Sequence, residues 1–95
     1  NVAENSGGVH CLKYGVTANN ILGLEVVTVE GEVLRLGGKH LDPDGYDLLG
    51  VLTGSEGLLA LVTEVTVRLL PKPETARAVM FGFPTVEQGG ATVAA

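Results

Sequence analysis

A run rich in β-branched residues, followed after a glutamate-glycine pair by a shorter run, constrains the fold of this chain most. Leu22–Val29 reads LGLEVVTV, and Glu32–Leu36 follows it directly after Glu30-Gly31. Because glycine tolerates the positive φ that a two-residue turn requires, we predict a β-hairpin that reverses at Gly31. The chain has 95 residues, 45% of them hydrophobic and 18% charged, which is enough apolar surface for one modest core.

Alternation between Leu61 and Leu70 predicts a further, long strand. Glu64, Thr66 and Arg68 alternate there with residues that are mostly apolar. Since successive side chains of a strand point to opposite faces, we expect the odd-numbered face to be buried and the other to meet solvent. The buried face would consist of Leu61, Thr63, Val65, Val67 and Leu69.

Short helices are predicted around these strands. A helical turn is expected to begin at Thr17, and a helical stretch at Tyr46–Leu52 follows an exposed loop, Gly37–Gly45. Ala76–Phe83 has the composition of another strand, and Thr85–Gln88 has the spacing of a capping box that begins a helix. Together these segments predict an α+β fold of antiparallel strands and short helices.

A domain boundary is predicted at Pro71-Lys72-Pro73. Each proline lacks a backbone N–H and restricts the residue before it, so the pair ends the preceding strand. We therefore divide the chain into residues 1–71 and residues 72–95. The chain begins at Asn1 without an initiator methionine, and we expect it to be a piece of a longer protein.

Charge and cysteine content exclude several classes of function. The net charge is −5, from eleven acidic and six basic side chains, which argues against a nucleic-acid partner. Cys11 is the single cysteine, so there is no internal disulfide, and with His10 and His40 it cannot complete a four-ligand zinc site. No apolar run approaches the roughly 20 residues that cross a bilayer. We expect a cytoplasmic protein without a transmembrane segment.

The loop formed by Asn5, Ser6, Gly7 and Gly8 is the first candidate site. Adjacent glycines allow the backbone to approach a flat or phosphorylated ligand, with its N–H groups turned inward, although a plain surface turn is the commoner meaning of such a pair. The sequence contains neither G-x-G-x-x-G nor G-x-x-x-x-G-K-[ST]. These absences exclude the Rossmann and Walker phosphate loops.

Other candidate sites are weaker. The turn Gly54–Gly57 leads into the long strand and could offer backbone hydrogen bonds to a ligand, but a tight turn with a solvated glutamate is the favoured alternative. His10 beside Cys11 suggests a base and a nucleophile, yet neighbours in a strand would point to opposite faces. Asp42 and Asp44 could bind a cation, but further ligands are missing. We assign no metal site.

Four segments, taken together and in order, resemble a known family. They are NVAENSGGVHCLKYGVT, LGLEVVTVEGEVLRLGG, GYDLLGVLTGSEG and TEVTVRLLPKPE. They resemble the FAD-linked D subunits of bacterial glycolate oxidases, within the vanillyl-alcohol-oxidase group of flavoenzymes with a PCMH-type FAD-binding domain. The resemblance implies that residues 1–71 are the C-terminal subdomain of the FAD-binding domain and that residues 72–95 begin the substrate domain.

The resemblance also implies FAD as the cofactor and positions that contact it. The family's Asn-Ala-Gly-Gly loop falls on Asn5–Gly8, its Tyr-Gly pair on Tyr14-Gly15, and its Ser-Glu-Gly stretch on Ser55–Thr63. Ala60 stands where the family usually has glycine, and its methyl group is expected to crowd the adenine end of FAD. The implied cofactor-binding residues are Asn5, Ser6, Gly7, Gly8, Tyr14, Gly15, Glu56, Gly57 and Val62.

Enzymes of this family oxidise a small 2-hydroxy acid, and the resemblance implies oxidation of glycolate to glyoxylate. A D-lactate or D-2-hydroxyglutarate dehydrogenase, and a non-catalytic binding or assembly domain of the same fold, are the alternatives. The family's diphosphate loop, substrate clamp and base lie outside the matched segments, so we assign no catalytic residue and expect the piece alone to be inactive. The implied partners are companion subunits, one of them an iron-sulfur protein, in the cytoplasm or at the inner face of the membrane.

Overall fold

The computed structural model describes residues 1–39 and 45–95. They form a small α+β fold with a three-stranded antiparallel sheet, as predicted. In chain order the elements are α1 (Cys11–Tyr14), a 3₁₀ turn (Thr17–Asn20), β1 (Ile21–Val27), β2 (Val33–Gly37), α2 (Leu48–Leu52), β3 (Leu61–Val67) and α3 (Val86–Ala94). The predicted helical turn at Thr17 is confirmed, and the predicted helix at Tyr46–Leu52 forms from Leu48.

Strands β1 and β2 form the predicted hairpin, with Val27 opposite Val33. The Thr28 N–H donates to the Glu32 carbonyl over 2.9 Å. These two residues close the hairpin, so three residues form its loop. The Gly31 N–H donates to the Thr28 carbonyl over 3.0 Å, and Gly31 has φ 83°. This is the left-handed residue that follows a type I turn in such loops. The hairpin is therefore confirmed, but the predicted two-residue turn is wrong, since the loop has three residues and Gly31 lies at its end.

Strand β3 pairs with the other side of β1, so the strand order is β2-β1-β3. The pairing has a register shift on β1 between Ile21 and Gly23, and a bulge on β3, where Glu25 faces Glu64 but the next residue, Val26, faces Val62. Thr63 is thus the extra residue on β3. An extra residue reverses the alternation of faces along a strand.

The bulge makes the predicted odd-numbered buried face of β3 wrong. Val62 packs against the core, whereas Leu61 is 67% exposed. Beyond the bulge the odd residues do share a face with β1 core residues, since Val65 faces Leu24, yet Val65 is 37% exposed and Val67 50% exposed. This half of the strand therefore presents an apolar surface that the described chain only partly covers.

The core is small and lies against β1. Val26 is its most buried residue, at 1% exposure. Helix α2 covers the core through Leu49 and Leu52, and Val2 packs on it from the N-terminal segment. The four core residues are Ile21, Leu24, Val26 and Ala60.

The segment after β3 buries almost nothing. Residues 76–83 form no strand, so the predicted strand at Ala76–Phe83 is wrong for this chain. Met80 is 97% exposed and Val79 is 80% exposed, because no described strand lies beside them to pair with their backbone. The boundary at Pro71-Lys72-Pro73 stays a prediction.

Helix α3 begins where the capping box predicted. The Thr85 hydroxyl oxygen accepts the Gln88 N–H over 3.4 Å. The helix continues through Gly89-Gly90 to Ala94. No helix in the described part of the chain is long and apolar enough to cross a membrane.

Candidate functional site

The two glycine-containing loops of the sequence lie side by side. The Gly54 N–H donates to the Val2 carbonyl, and the Glu56 N–H donates to the Ala3 carbonyl, both over 2.9 Å. Gly54 has φ 85°, and a Cβ added to it would lie 3.2 Å from the Cβ of Asn5. This approach therefore requires glycine. Two segments more than 45 residues apart in the sequence form one backbone surface.

Asn5 and Glu56 are the two non-glycine residues with positive φ in the described part of the chain, at 49° and 54°. Asparagine tolerates this region better than most residues, and such residues gather at functional sites. The side-chain oxygen of Asn5 accepts the Ala18 N–H over 2.8 Å. Asn5 thus ties the N-terminal turn to the 3₁₀ turn, so its amide oxygen holds the loop in place.

Gly7 and Gly8 are adjacent but have different surroundings. A Cβ on Gly7 would lie 2.6 Å from the Cys11 sulfur and 3.1 Å from Val16, whereas a Cβ on Gly8 would meet nothing within 4 Å. The Gly8 N–H donates to the Cys11 sulfur over 2.9 Å, so this amide turns toward the protein. Gly7 is therefore required for internal packing, and Gly8 offers a ligand open space.

Tyr14 and Gly15 end helix α1. The Gly15 N–H donates to the Cys11 carbonyl over 2.8 Å, and Gly15 has φ 74°. An added Cβ on Gly15 would overlap the Asn19 side chain. Tyr14 is half-buried, and the Lys13 ammonium lies 5.3 Å from the centre of its ring. Gly15 thus fixes how the chain leaves the helix, while the Tyr14 ring is engaged with a cation.

An open groove of ≈590 Å³ lies beside the N-terminal loop, and the Gly54–Gly57 turn does not line it. Four of the predicted cofactor residues line it, namely Ser6, Gly7, Gly8 and Gly15. The predicted residues Asn5, Tyr14, Glu56, Gly57 and Val62 do not line it. The wall opposite the glycines comes from Val65 and Val67 of β3, together with Ile21 of β1.

The lining of this groove decides which part of FAD it fits. It contains no Lys, Arg, Asp or Glu, and its exposed area is mainly apolar. Grooves of a few hundred Å³ with apolar walls and few polar groups are typical of small-molecule sites. The lining therefore fits a flat, neutral ring system. A diphosphate is commonly held by cations, and this lining contains no Lys or Arg.

Ala60 and Val62 lie on the core side of the sheet. Ala60 is 8% exposed and belongs to the core, and Val62 packs against that core. The methyl group of Ala60 therefore fills the core and does not crowd the groove. The side chains of both residues thus have a packing role, and a contact between Val62 and the cofactor stays a prediction.

His10 and Cys11 begin helix α1 and do not lie in a strand, so the strand argument against their pairing was wrong. The Cys11 sulfur accepts the Gly8 N–H, which gives it a structural contact. His40, Asp42 and Asp44 lie outside the described residues. Within residues 1–39 and 45–95 there is no group of three or more His, Cys, Asp or Glu that could hold a metal ion.

Residues 1–37 match the family model described as the FAD binding domain. These residues therefore resemble part of an FAD-binding domain. This segment contains the Asn5–Gly8 loop and Gly15, so the loop side of the groove lies within it. FAD is thus the cofactor that the family supports for these residues.

Nearly the whole chain is also similar to several curated proteins. The chain is 58% identical over 93 residues to glycolate oxidase subunit GlcD of Escherichia coli strain K12, covering 98% of this chain and 19% of the relative. It is 47% identical over 94 residues to GlcD of Bacillus subtilis strain 168, covering 98% of this chain and 20% of the relative. It is 44% identical over 87 residues to a D-lactate dehydrogenase of Archaeoglobus fulgidus, covering 90% of this chain and 20% of the relative.

The chain spans about one fifth of the length of these curated relatives. Within the chain, sequence reasoning missed Val65 and Val67 as part of the groove wall. The signal that could have found them is their position on an apolar strand face, which the sequence analysis interpreted as core.

Proposed function

We propose that the full-length protein containing this chain is an FAD-dependent 2-hydroxy-acid dehydrogenase that oxidises glycolate to glyoxylate. The observation that carries this proposal is the similarity of nearly the whole chain to glycolate oxidase D subunits of two bacteria. The alternative is a dehydrogenase for another 2-hydroxy acid, D-lactate or D-2-hydroxyglutarate. The similarity to the archaeal D-lactate dehydrogenase supports that alternative.

Bound FAD would accept a hydride from the hydroxyl-bearing carbon of the substrate, while the hydroxyl proton leaves to a base. This chain contributes one wall of the cofactor cleft. Gly8 leaves room for a ring to approach the backbone, and Val65 and Val67 form an apolar wall on the opposite side of the groove. Ser6 and Asn20 are polar groups on the same lining. We assign the base and the diphosphate contacts to the remainder of the protein.

The first test compares substrates on the full-length protein with an artificial electron acceptor. We expect kcat/KM for glycolate to exceed that for D-lactate and D-2-hydroxyglutarate. A preference for either of the other acids would select the alternative dehydrogenase. A colourless protein that cannot be reconstituted with FAD and oxidises none of the three would indicate a non-catalytic domain of the same fold.

A second test asks whether the groove holds the flavin. Gly8→Val would fill the open space in front of Gly8, and we expect it to lower the flavin content strongly while circular dichroism stays near normal. Gly82→Val is the matched control, because Gly82 also has nothing within 4 Å of an added Cβ and does not line the groove. Equal flavin content in the Gly8→Val variant and the parent would remove Gly8 from the site.

The proposal extends to partners and location. Two of the relatives are named as subunits, which supports an assembly with companion chains. We propose that one companion is an iron-sulfur protein and that the assembly lies in the cytoplasm or at the inner face of the membrane. Affinity purification of the full-length protein from its own host, followed by iron and sulfide analysis, tests this. A preparation that contains flavin but no iron would contradict the iron-sulfur partner.

A further inference from the structure

A second groove, of ≈600 Å³, lies between helix α1 and the segment that follows β3. Lys13, Lys72 and Arg77 line it, and its lining contains no Asp or Glu. The whole chain has six Lys and Arg against eleven Asp and Glu, so half of its cations meet at one groove. This concentration of positive charge contrasts with the net negative charge of the chain.

None of the three cations of this second groove forms an ion pair with a carboxylate of the described residues. The ion pair found among those residues joins Arg35 to Glu25. Lys72 lies between two prolines, which fix φ on both sides of it and stiffen the wall. Lys13 lies over the Tyr14 ring, which also lines the groove. Positive charge is thus held around an apolar floor and left available to an anion.

The second groove borders the candidate cofactor groove. His10 lines both of them, and Tyr14 of the second groove precedes Gly15 of the first. The first groove has no charged Lys or Arg, and the second has three. An anion attracted to the second groove therefore arrives beside the groove that fits the flavin ring.

We propose that this cationic groove attracts the carboxylate of the 2-hydroxy-acid substrate and guides it toward the flavin. The inference rests on the proposed function. A 2-hydroxy acid is a small monoanion at neutral pH, and a cleft lined by one sign of charge raises the local concentration of the opposite sign. Lys13, Lys72 and Arg77 are exposed, so they act through their field and leave the tight carboxylate contacts to other residues.

Steady-state kinetics of the full-length protein test this with single and double variants. Lys72→Gln and Arg77→Gln each remove one charge, and Lys39→Gln is the matched control, because Lys39 is exposed and does not line the groove. We expect each groove variant to raise KM for glycolate about two- to threefold at low salt, as one charge at roughly 8 Å in water would. We expect kcat and flavin content to be unchanged.

Ionic strength provides a second signature. The double variant Lys72→Gln/Arg77→Gln should show a raised KM at low salt that converges with the parent near 1 M salt, where the screening length is about 3 Å. A double variant whose KM matches the parent at low salt would overturn the inference while leaving the proposed function intact. An equal rise in KM with Lys39→Gln would also overturn it, since the effect would then be one of net charge.

Binding of acetate separates failure of the inference from failure of the proposed function. Acetate has the same charge as glycolate but has no hydroxyl to oxidise, and NMR line broadening of its methyl group reports binding to the full-length protein without turnover. We expect the double variant to weaken this binding severalfold and Lys39→Gln to leave it unchanged. If no 2-hydroxy acid is oxidised, the proposed function fails, and acetate binding alone then decides whether the groove attracts carboxylates.

Discussion

The chain up to Val67 and the chain after it use their apolar residues in opposite ways. All four core residues lie in the first part, three of them on β1. In the second part every residue except Gly89 is exposed, including Met80 and Phe81. Yet the second part contains a properly capped helix of nine residues. The difference shows that a local capping signal places the start of a helix, whereas burial requires paired strands from distant parts of the sequence.

The largest expected difference between the two parts is in the cost of a valine-to-aspartate substitution to the free energy of unfolding. Val26→Asp would place a carboxylate at a site that is 1% exposed, and we expect it to cost more than about 3 kcal/mol of the free energy of unfolding. Val79→Asp makes the same change at a site that is 80% exposed and should cost less than about 0.5 kcal/mol. Thermal denaturation of the full-length protein measures both. A large effect of Val79→Asp would mean that another part of the protein covers residues 76–83.

Replacing a glycine with alanine should change the free energy of unfolding in opposite directions in the two parts. Gly7→Ala would force a Cβ to within 2.6 Å of the Cys11 sulfur, and we expect a loss of about 1–2 kcal/mol. Gly90→Ala lies in helix α3 with nothing within 4 Å, and alanine should stabilise the helix by up to about 1 kcal/mol. Urea denaturation measures these changes. Adding Cys11→Ala to Gly7→Ala should recover part of the loss, and no recovery would refute the steric cause.

Strand β3 lies at the border between the two parts. We expect an aspartate substitution there to lower the free energy of unfolding by an intermediate amount. Val65 faces the buried Leu24 but is itself 37% exposed, so Val65→Asp should cost about 1–2 kcal/mol. Glu64→Ala is the control on the opposite face, and we expect it to cost less than about 1 kcal/mol. Denaturation midpoints of the two variants decide the order. A greater loss with Glu64→Ala would mean that the register of β3 is wrong.

The smallest expected effect concerns the start of helix α3. Two hydrogen bonds lower the pKa of Glu87 below its ordinary value. The larger contribution comes from the backbone N–H of Glu87 and the smaller from the Thr85 hydroxyl. Because the pKa is lowered in the folded chain, the ionised carboxylate stabilises the helix at pH values above the ordinary glutamate pKa. This contribution to stability is lost as the pH falls through the lowered pKa. A carbon NMR titration of Glu87 measures the shift.

Thr85→Ala removes one of the two hydrogen bonds to Glu87, together with the cap of the helix. We expect the Glu87 pKa to rise toward its ordinary value and the first turn of α3 to lose about 1 kcal/mol of helix stability. Gln88→Ala is a suitable control, because Gln88 donates to Thr85 through its backbone N–H and keeps that bond. An unchanged Glu87 pKa in the Thr85→Ala variant would show that the hydroxyl does not contribute.

The candidate site also has features that depend on the local sequence and features that depend on contacts between distant residues. The Asn5–Gly8 loop could be recognised from its sequence, because paired glycines permit a close backbone approach wherever they occur. The different roles of Gly7 and Gly8 could not, since they depend on whether Cys11 and Val16 fold back against the loop. Likewise, nothing in the Gly54–Gly57 motif indicates that its amides donate to Val2 and Ala3.

By itself the sequence determined the hairpin near Gly31, the helical turn at Thr17 and the capped start of α3, because each depends on φ preferences or hydrogen bonds within a few residues. Tertiary structure alone decided that Thr63 is an extra residue, that Val62 faces the core and that residues 76–83 form no strand. These outcomes depend on which strand lies alongside. The backbone of a strand is satisfied only by a partner that the local sequence does not specify.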